Sequence, residues 1–202
     1  MPTLLLIRHG ETDWNRSGQV MGNQPIPLNQ TGEQQARACA DMLAQTPIAS
    51  IVTSPVLRAV QTAEILGHTH AAPVHHARGL SEIGVGDWLN RYWKDLVEDP
   101  AKRDWYLHPD RARPSGGETL REVQQRAVGA VERTLQAAHE APYVFVSHGD
   151  VIRALLAHYL HFDLSALRHA RIDHAGVSGL EVTDAGTHLL FLNHRPGIHR
   201  LA

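Results

Sequence analysis

Two short runs of this chain set an imidazole beside a glycine: Arg8-His9-Gly10 and Ser147-His148-Gly149. A third run, Thr53-Ser54-Pro55, is followed within one helical turn by Arg58, and Arg153 stands shortly after His148. An imidazole has a reference pKa near ~6.5, so much of it is neutral at neutral pH and free to attack an electrophile. Arginine forks match the paired oxygens of a phosphoryl group and stay charged at working pH. Histidines with arginines are therefore a donor set for holding and attacking phosphorus, provided the fold brings them together.

The elements around these runs predict that it does. Residues 3–8 (TLLLIR), 48–53 (IASIVT) and 143–147 (YVFVS) are short apolar runs that read as buried strands, and each ends on one of the three motifs. Residues 11–30 are polar and rich in Gly, Pro and Asn, which predicts loop. A helix is expected to open at Thr31, which has capping-box spacing to Gln34, and to continue through Ala36, Ala40 and Leu43. Further helices are predicted over 55–66, with Pro55 in the first turn, over 118–139 and over 150–160. Residues 177–183 and 188–193 read as a hairpin turning at Asp184-Ala185-Gly186. Alternating strands and helices predict an α/β fold, a three-layer α/β/α sandwich with a mostly parallel sheet plus one antiparallel strand. Ligands in open sheets of this kind bind beyond the carboxyl ends of the strands, where the three motifs fall. Two of them also stand at or just before a helix N-terminus, whose free N–H groups favour anions.

Composition limits the alternatives. The 202 residues are 43% hydrophobic, 20% charged and 5% aromatic, which fits one globular domain over 1–202. Lys plus Arg is 19 and Asp plus Glu is 21, so the net charge of −2 gives no footprint for nucleic acid or an anionic membrane. No window reaches transmembrane length, the apolar N-terminal run is too short for a signal segment, and a cytoplasmic protein is expected. Cys39 is the only cysteine, which excludes an internal disulfide and a cysteine-rich zinc site. Of the 15 histidines, His68, His70, His75 and His76 crowd together, but Pro73 interrupts them and no i, i+4 pairing joins them. Solvated loop histidines, rather than a metal site, are the expectation there. Three of the four tryptophans (Trp88, Trp93, Trp105), with Tyr92 and Tyr106, fall in one stretch. That stretch predicts an aromatic-rich lid insertion at about 84–116, with the rings expected first as the insertion's own small core and second as a surface that stacks on a leaving group.

The run LIRHGETDWN (6–15) resembles the signature of the histidine phosphatase superfamily, the phosphoglycerate-mutase-like fold. TSPVLRAVQTAEIL (53–66), SEIGVGDW (81–88), SGGET (115–119) and VSHGDVIRAL (146–155) resemble the family's later blocks, in its order. The terminal LNHRPGIHRL resembles its final strand and tail. The resemblance implies that His9 is the nucleophile that takes the phosphoryl group. A backbone carbonyl on its other nitrogen would fix the tautomer, and Gly10 would let backbone come close there. Arg8, Arg58 and His148 would hold the non-bridging oxygens, with Asn15 adding a neutral donor. Glu82 would be the general acid, so the catalytic set would be His9, Glu82 and His148. Thr12 and Ser54 fit capping or turn roles equally well, and Glu11 fits structural pairing. No metal or cofactor is expected, because the arginines supply the positive charge.

The chain departs from the family's usual pattern in three places. Trp88-Leu89-Asn90 stands for Trp-Glu-Gly, Pro25 stands where Asp is usual, and His148-Gly149-Asp150 stands for His-Gly-Gly. These changes touch the shape and charge of the substrate pocket, unless Asp150 simply caps the following helix. The leading expectation is a phosphatase hydrolysing a small phosphorylated metabolite through a phosphohistidine. Glu82 and His148 are only 66 positions apart, which favours the phosphatase branch over a phosphoglycerate mutase. A catalytically dead phosphate-binding module is the third alternative. The sequence sets neither the substrate nor the oligomeric state.

Overall fold

The structure is a computed structural model and describes residues 3–136 and 142–196. Six strands form one sheet in the order β3-β2-β4-β1-β5-β6. They are β1 (Thr3–Arg8), β2 (Ser50–Thr53), β3 (Val74–His76), β4 (Tyr143–Ser147), β5 (Val177–Thr183) and β6 (Gly186–His194). Pairs β1·β4, β2·β4 and β2·β3 are parallel, whereas β5 is antiparallel to both β1 and β6. Only β5 therefore runs against the rest, as the alternating pattern predicts.

Strand β1 shows why the sheet must lie inside. Leu4, Leu5, Leu6 and Ile7 are all buried. Leu4 and Leu6 pack in a core with helices α5 (Leu120–Gln136) and α6 (Gly149–Tyr159). Leu5 and Ile7 pack on the opposite side with α2 (Gln30–Met42) and α3 (Leu57–His70). Successive strand side chains point to opposite faces, so a strand apolar on both demands a layer on each. Burying each such side chain contributes about 1.5–3 kcal/mol.

Several local expectations need correction. The predicted loop 11–30 contains a short helix, α1 (Asp13–Ser17), capped by Thr12, whose hydroxyl accepts from the Asn15 N–H while the Asn15 side chain accepts from the Thr12 N–H. Helix α2 opens on Asn29 rather than Thr31: the Asn29 Oδ1 accepts from the Gly32 N–H at 2.8 Å, and its Nδ2 donates to Glu11 at 2.9 Å. Asparagine wins because its amide serves the helix and the loop below it at once. Helix α3 starts after Pro55 and extends to His70, so His68 and His70 are helical, whereas His75 and His76 lie in the unpredicted strand β3. His70 Nε2 donates to the Ala40 carbonyl at 3.2 Å. Residues 137–139 of the predicted helix 118–139 lie outside the described residues, as does the end of the LNHRPGIHRL run.

The aromatic stretch folds into a 3₁₀ turn at Gly86–Trp88 and helix α4 (Pro100–Leu107). Trp88 and Trp105 are buried against each other edge to face, with ring centroids 5.5 Å apart. The Arg168 guanidinium lies 3.4 Å above the Trp105 ring. Two of the tryptophans thus form the insertion's own core, whereas Trp93 lines the pocket described below.

Close backbone approach packs the loop after β1 against the start of α2. A Cβ on Gly10 would be driven into the Gly32 carbonyl, and one on Gly32 into the backbone of Glu11. Gly129, inside α5, would meet only the end of the Arg133 side chain, at 3.3 Å. Replacing Gly32 with Ala should cost about 3 kcal/mol in urea unfolding, through enforced overlap. Gly129→Ala should instead be neutral or stabilising by roughly 0.5–1 kcal/mol, through helix propensity. Equal midpoints for both variants would contradict the packing described.

Candidate active site

Three strand ends deliver the site. His9 follows β1, and its N–H donates to the Ser147 carbonyl at 3.0 Å, extending the parallel ladder by one bond. Ser54 follows β2 and donates its N–H to the Val146 carbonyl at 2.9 Å. His148 follows β4 and occupies the N-cap position of α6 with extended backbone. The side chains of His9, Ser54, Arg58 and His148 are buried together at this edge. The His9 and His148 ring centroids are 5.1 Å apart.

Hydrogen bonds assign the tautomers. His9 Nδ1 donates to the Gly10 carbonyl at 2.7 Å, which leaves a lone pair on Nε2, where Arg58 Nε donates at 3.1 Å. His148 Nδ1 accepts from Arg58 Nη2 at 3.1 Å, so its Nε2 carries the proton donated to Ser54 Oγ at 2.8 Å. Burial is the largest cause depressing both imidazole pKa values well below the ordinary value, and the Arg58 charge adds to it. Both rings are neutral at neutral pH. The 3.7 Å contact between His148 Nδ1 and Glu82 is therefore not an ion pair.

Arg58 is fully buried. Besides the two histidines, it donates to the carbonyls of Gly22 at 2.9 Å and Gln24 at 3.3 Å. Burial lowers its pKa to about 10, which leaves it cationic. Arg8 donates through Nη1 to the Ile172 carbonyl at 2.7 Å, and its buried Nε–H has no partner among the described residues. Arg8 and Arg58 both line a cavity of about 310 Å³, with Glu82, Asn15, Trp14, Trp93, Asp150, Arg153 and His174.

Glu82 enters from the loop between β3 and α4. Its Oε2 stands 3.9 Å from Arg58 Nη2, and its Oε1 accepts from the Ile83 N–H at 2.9 Å. Burial, and next the Asp150 charge, raise its pKa to about 7 against the opposing pull of Arg58. The loop is clamped from α5. Arg126 donates to the carbonyls of Gly79 (2.8 Å), Ser81 (2.7 Å) and Glu82 (3.0 Å), and pairs with Glu118 at 2.9 Å. Glu118 in turn accepts from the Gly84 N–H at 2.7 Å. The Ser147 hydroxyl donates to the Leu80 carbonyl at 2.7 Å, tying the same loop to β4.

The structure thus brings His9, Glu82, His148, Arg8 and Arg58 together. Asn15 lines the cavity as well, but its Oδ1 serves the cap of α1, which leaves its amide N–H groups to face a ligand. Glu11 pairs with Asn29, as expected of it. Ser54 holds both His148 and the Val56 N–H. Asp150 does not cap α6: it lies in the first turn and pairs with Arg153 at 3.2 Å.

His174 was not singled out in the sequence. Its ring lies 5.8 Å from that of His9 between centroids, and burial lowers its pKa to about 3. The Arg126–Glu118 clamp was also missed. Nothing local marks His174 or Arg126, since each reaches the site only through the tertiary fold. The Ser-Gly-Gly-Glu-Thr run that holds Glu118 was the available signal for the clamp.

This arrangement makes a spectroscopic prediction. In ¹⁵N NMR of the imidazoles, His9 should remain neutral, protonated on Nδ1, below the pH at which an ordinary imidazole becomes charged. A His9 ring that becomes charged near its ordinary value would contradict the buried, arginine-flanked geometry.

A family model of the histidine phosphatase superfamily (branch 1) matches residues 4–195. The uncharacterized phosphatase PhoE of Bacillus subtilis is 33% identical over 184 residues, covering 91% of this chain and 90% of that protein. The adenosylcobalamin/alpha-ribazole phosphatase of Escherichia coli is 30% identical over 194 residues, covering 95% and 96%. A mycobacterial glucosyl-3-phosphoglycerate phosphatase solved with VO3 superposes with a TM-score of 0.88 at 27% identity, over 95% of this chain and 98% of that one. Relatives named as probable phosphoglycerate mutases match too, among them one from Cronobacter sakazakii at 29% identity over 90% of this chain and 85% of that protein. A match that runs from β1 to the end of β6, over a cavity built from histidine, arginine and one glutamate, places the chain in the histidine phosphatase superfamily, as a phosphatase.

Proposed function

We propose that this phosphatase hydrolyses a small phosphate monoester through a phosphohistidine on His9. One observation carries the reading: with Nδ1 locked on the Gly10 carbonyl, His9 Nε2 is left as an unprotonated lone pair, held by the Arg58 Nε–H at 3.1 Å until a phosphoryl group takes that donor. The monoester dianion sits between Arg8 and Arg58, with the Asn15 amide as a further donor. Nε2 attacks phosphorus, and the bond from phosphorus to the ester oxygen breaks on the far side. Glu82 gives its proton to the departing oxygen. Water then attacks the phosphohistidine, Glu82 takes a proton back, and inorganic phosphate leaves with His9 restored. His148, whose Nδ1 accepts from Arg58 and whose Nε2 donates to Ser54, holds that guanidinium in place for the phosphoryl oxygens. Such transfers are driven chiefly by positioning and electrostatics, which a pre-assembled guanidinium and imidazole cluster supplies.

In this reading the chain acts as one domain, and the insertion at about 84–116 covers the cavity as a lid, with Trp93 its inner wall. Arginine charge replaces a metal. The enzyme works in the cytoplasm on a small phosphorylated metabolite. Among the described residues no helix is long and apolar enough to cross a membrane. Cys39 is buried as a free thiol, in keeping with a reducing compartment. The mutase-named relatives favour a second reading, phosphoryl transfer between positions of one phosphoglycerate, and isomer exchange without net phosphate release would select it.

Wild type should release phosphate from an aryl phosphate with no added metal, and His9→Ala should lose at least about a thousandfold. Glu82→Gln should slow alkyl esters by roughly 100-fold and aryl phosphates far less, because a good leaving group needs little protonation. Equal losses on both ester types would remove Glu82 from the acid role. A carboxyl raised to about 7 donates a proton below that pH and not above it. Alkyl-ester kcat/KM should therefore fall as pH rises through about 7, and Glu82→Gln should abolish that limb. A limb that persists in Glu82→Gln would assign it to another group.

A further inference from the structure

The cavity carries a second charged pair besides Arg8 and Arg58. Arg8 and Arg58 face the phosphoryl end, and together they balance a monoester dianion. Asp150 and Arg153, on the first turns of α6, line the same cavity, as do Trp14 and Trp93. Gly149 lies between the two arginines: a Cβ there would meet Arg153 Nη1 at 3.3 Å and Arg8 Nε at 3.7 Å. A cation so placed would ordinarily serve a second anionic group on the substrate. Here its Nε and Nη1 are already engaged. Asp150 Oδ1 accepts from Arg153 Nη1 at 3.2 Å, and the Ala170 carbonyl accepts from Arg153 Nε at 2.9 Å. The Asp150 and Arg153 side chains are only 18% and 22% exposed, so water does little to weaken the pairing.

His174, which also lines the cavity, is held neutral and adds no charge. Among the described residues lining the cavity, Arg153 is the one cation beyond Arg8 and Arg58, and Asp150 balances its charge. A carboxylate on the leaving group would shed its water and meet the Asp150 carboxylate instead, and an unpaired anion in that position is strongly disfavoured. A hydroxyl or an ammonium group would find an acceptor there. The two indoles offer flat apolar walls suited to the C–H faces of a polyol or to a planar ring.

We infer that Asp150 sets the substrate class: esters of neutral or amine-bearing alcohols enter, and carboxylate-bearing esters of the phosphoglycerate type are rejected. Asp150 acts on specificity by charge, in part by neutralising Arg153. The inference rests on the phosphatase reading of the same cavity and goes beyond it in naming the leaving group.

Three monoesters of similar size test it: phosphoethanolamine, glycerol 3-phosphate and 3-phosphoglycerate, whose leaving groups are cationic, neutral and anionic. Their kcat/KM values are measured at one pH for wild type, Asp150→Asn and Arg153→Gln. Wild type should favour the first two over 3-phosphoglycerate by tenfold or more. Asp150→Asn frees Arg153 and should shrink that ratio about tenfold, whereas Arg153→Gln frees Asp150 and should widen it. Because Asp150 also acts on Glu82, Asp150→Asn can lower all three rates by a common factor, which the ratio cancels. Unchanged ratios in both variants, or a wild-type preference for 3-phosphoglycerate, would overturn the inference. Calorimetric binding of the same three esters to His9→Ala separates the two claims. If wild type turns over none of them, nor an aryl phosphate, the hydrolytic reading fails, and the binding order alone decides the role of Asp150. Binding without charge preference would overturn that role too.

Discussion

The site depends on a guanidinium with no access to water. Arg58 is fully buried, and a buried charge survives only when its donors are met. Its donors reach His9, His148, Gly22 and Gln24. That one side chain therefore joins the ends of β1 and β4 to the loop that follows α1. A hydrogen bond to such a charged group is typically worth about 1.5–3 kcal/mol, so the loop and both imidazoles are held in place by the same energetics that hold the cation. The fold supplies the rest of the enclosure. Strands apolar on both faces sink the sheet between two helical layers, and only their carboxyl ends open outward.

The protonation pattern follows from that enclosure. Burial with Arg58 alongside keeps His9 and His148 neutral, which a nucleophile requires. The same burial, aided by Asp150 and opposed by Arg58, pushes Glu82 the other way, toward the acid form. On the proposed mechanism, His9 without its Nε2 proton and Glu82 with its own coexist near neutral pH, within one site. Position is fixed separately. Arg126 and Glu118 grip the backbone on both sides of Glu82, so the carboxyl is presented by a loop with little freedom of its own.

Much of this was legible in the sequence because strand ends are legible. Apolar runs ending in Arg-His-Gly and Ser-His-Gly place two imidazoles at one sheet edge, and Pro55 with Arg58 adds the third approach. Glu82 was readable only through the resemblance of its flanking residues, since a lone loop carboxylate carries no periodic signal. What stayed hidden lacks periodicity or depends on distant partners. Helix α1 is five residues long and rests on a cap between Thr12 and Asn15. Strand β3 has three residues, two of them exposed histidines, so no apolar alternation marks it. Asn29 displaces Thr31 as the cap of α2 because Glu11, remote in sequence, holds its amide. The Arg126 clamp spans more than forty positions between α5 and the Glu82 loop, and no local pattern reports such a contact.

The central claim is that His9 Nε2 carries the phosphoryl group during turnover. Acid quenching would destroy a phosphohistidine, so the direct measurement is a rapid alkaline quench of the enzyme during hydrolysis of a radiolabelled monoester, followed by peptide mapping. The account predicts label on the peptide containing His9, stable to base and lost in acid, and absent from His9→Ala. Label that survives acid, or that persists in His9→Ala, would contradict it.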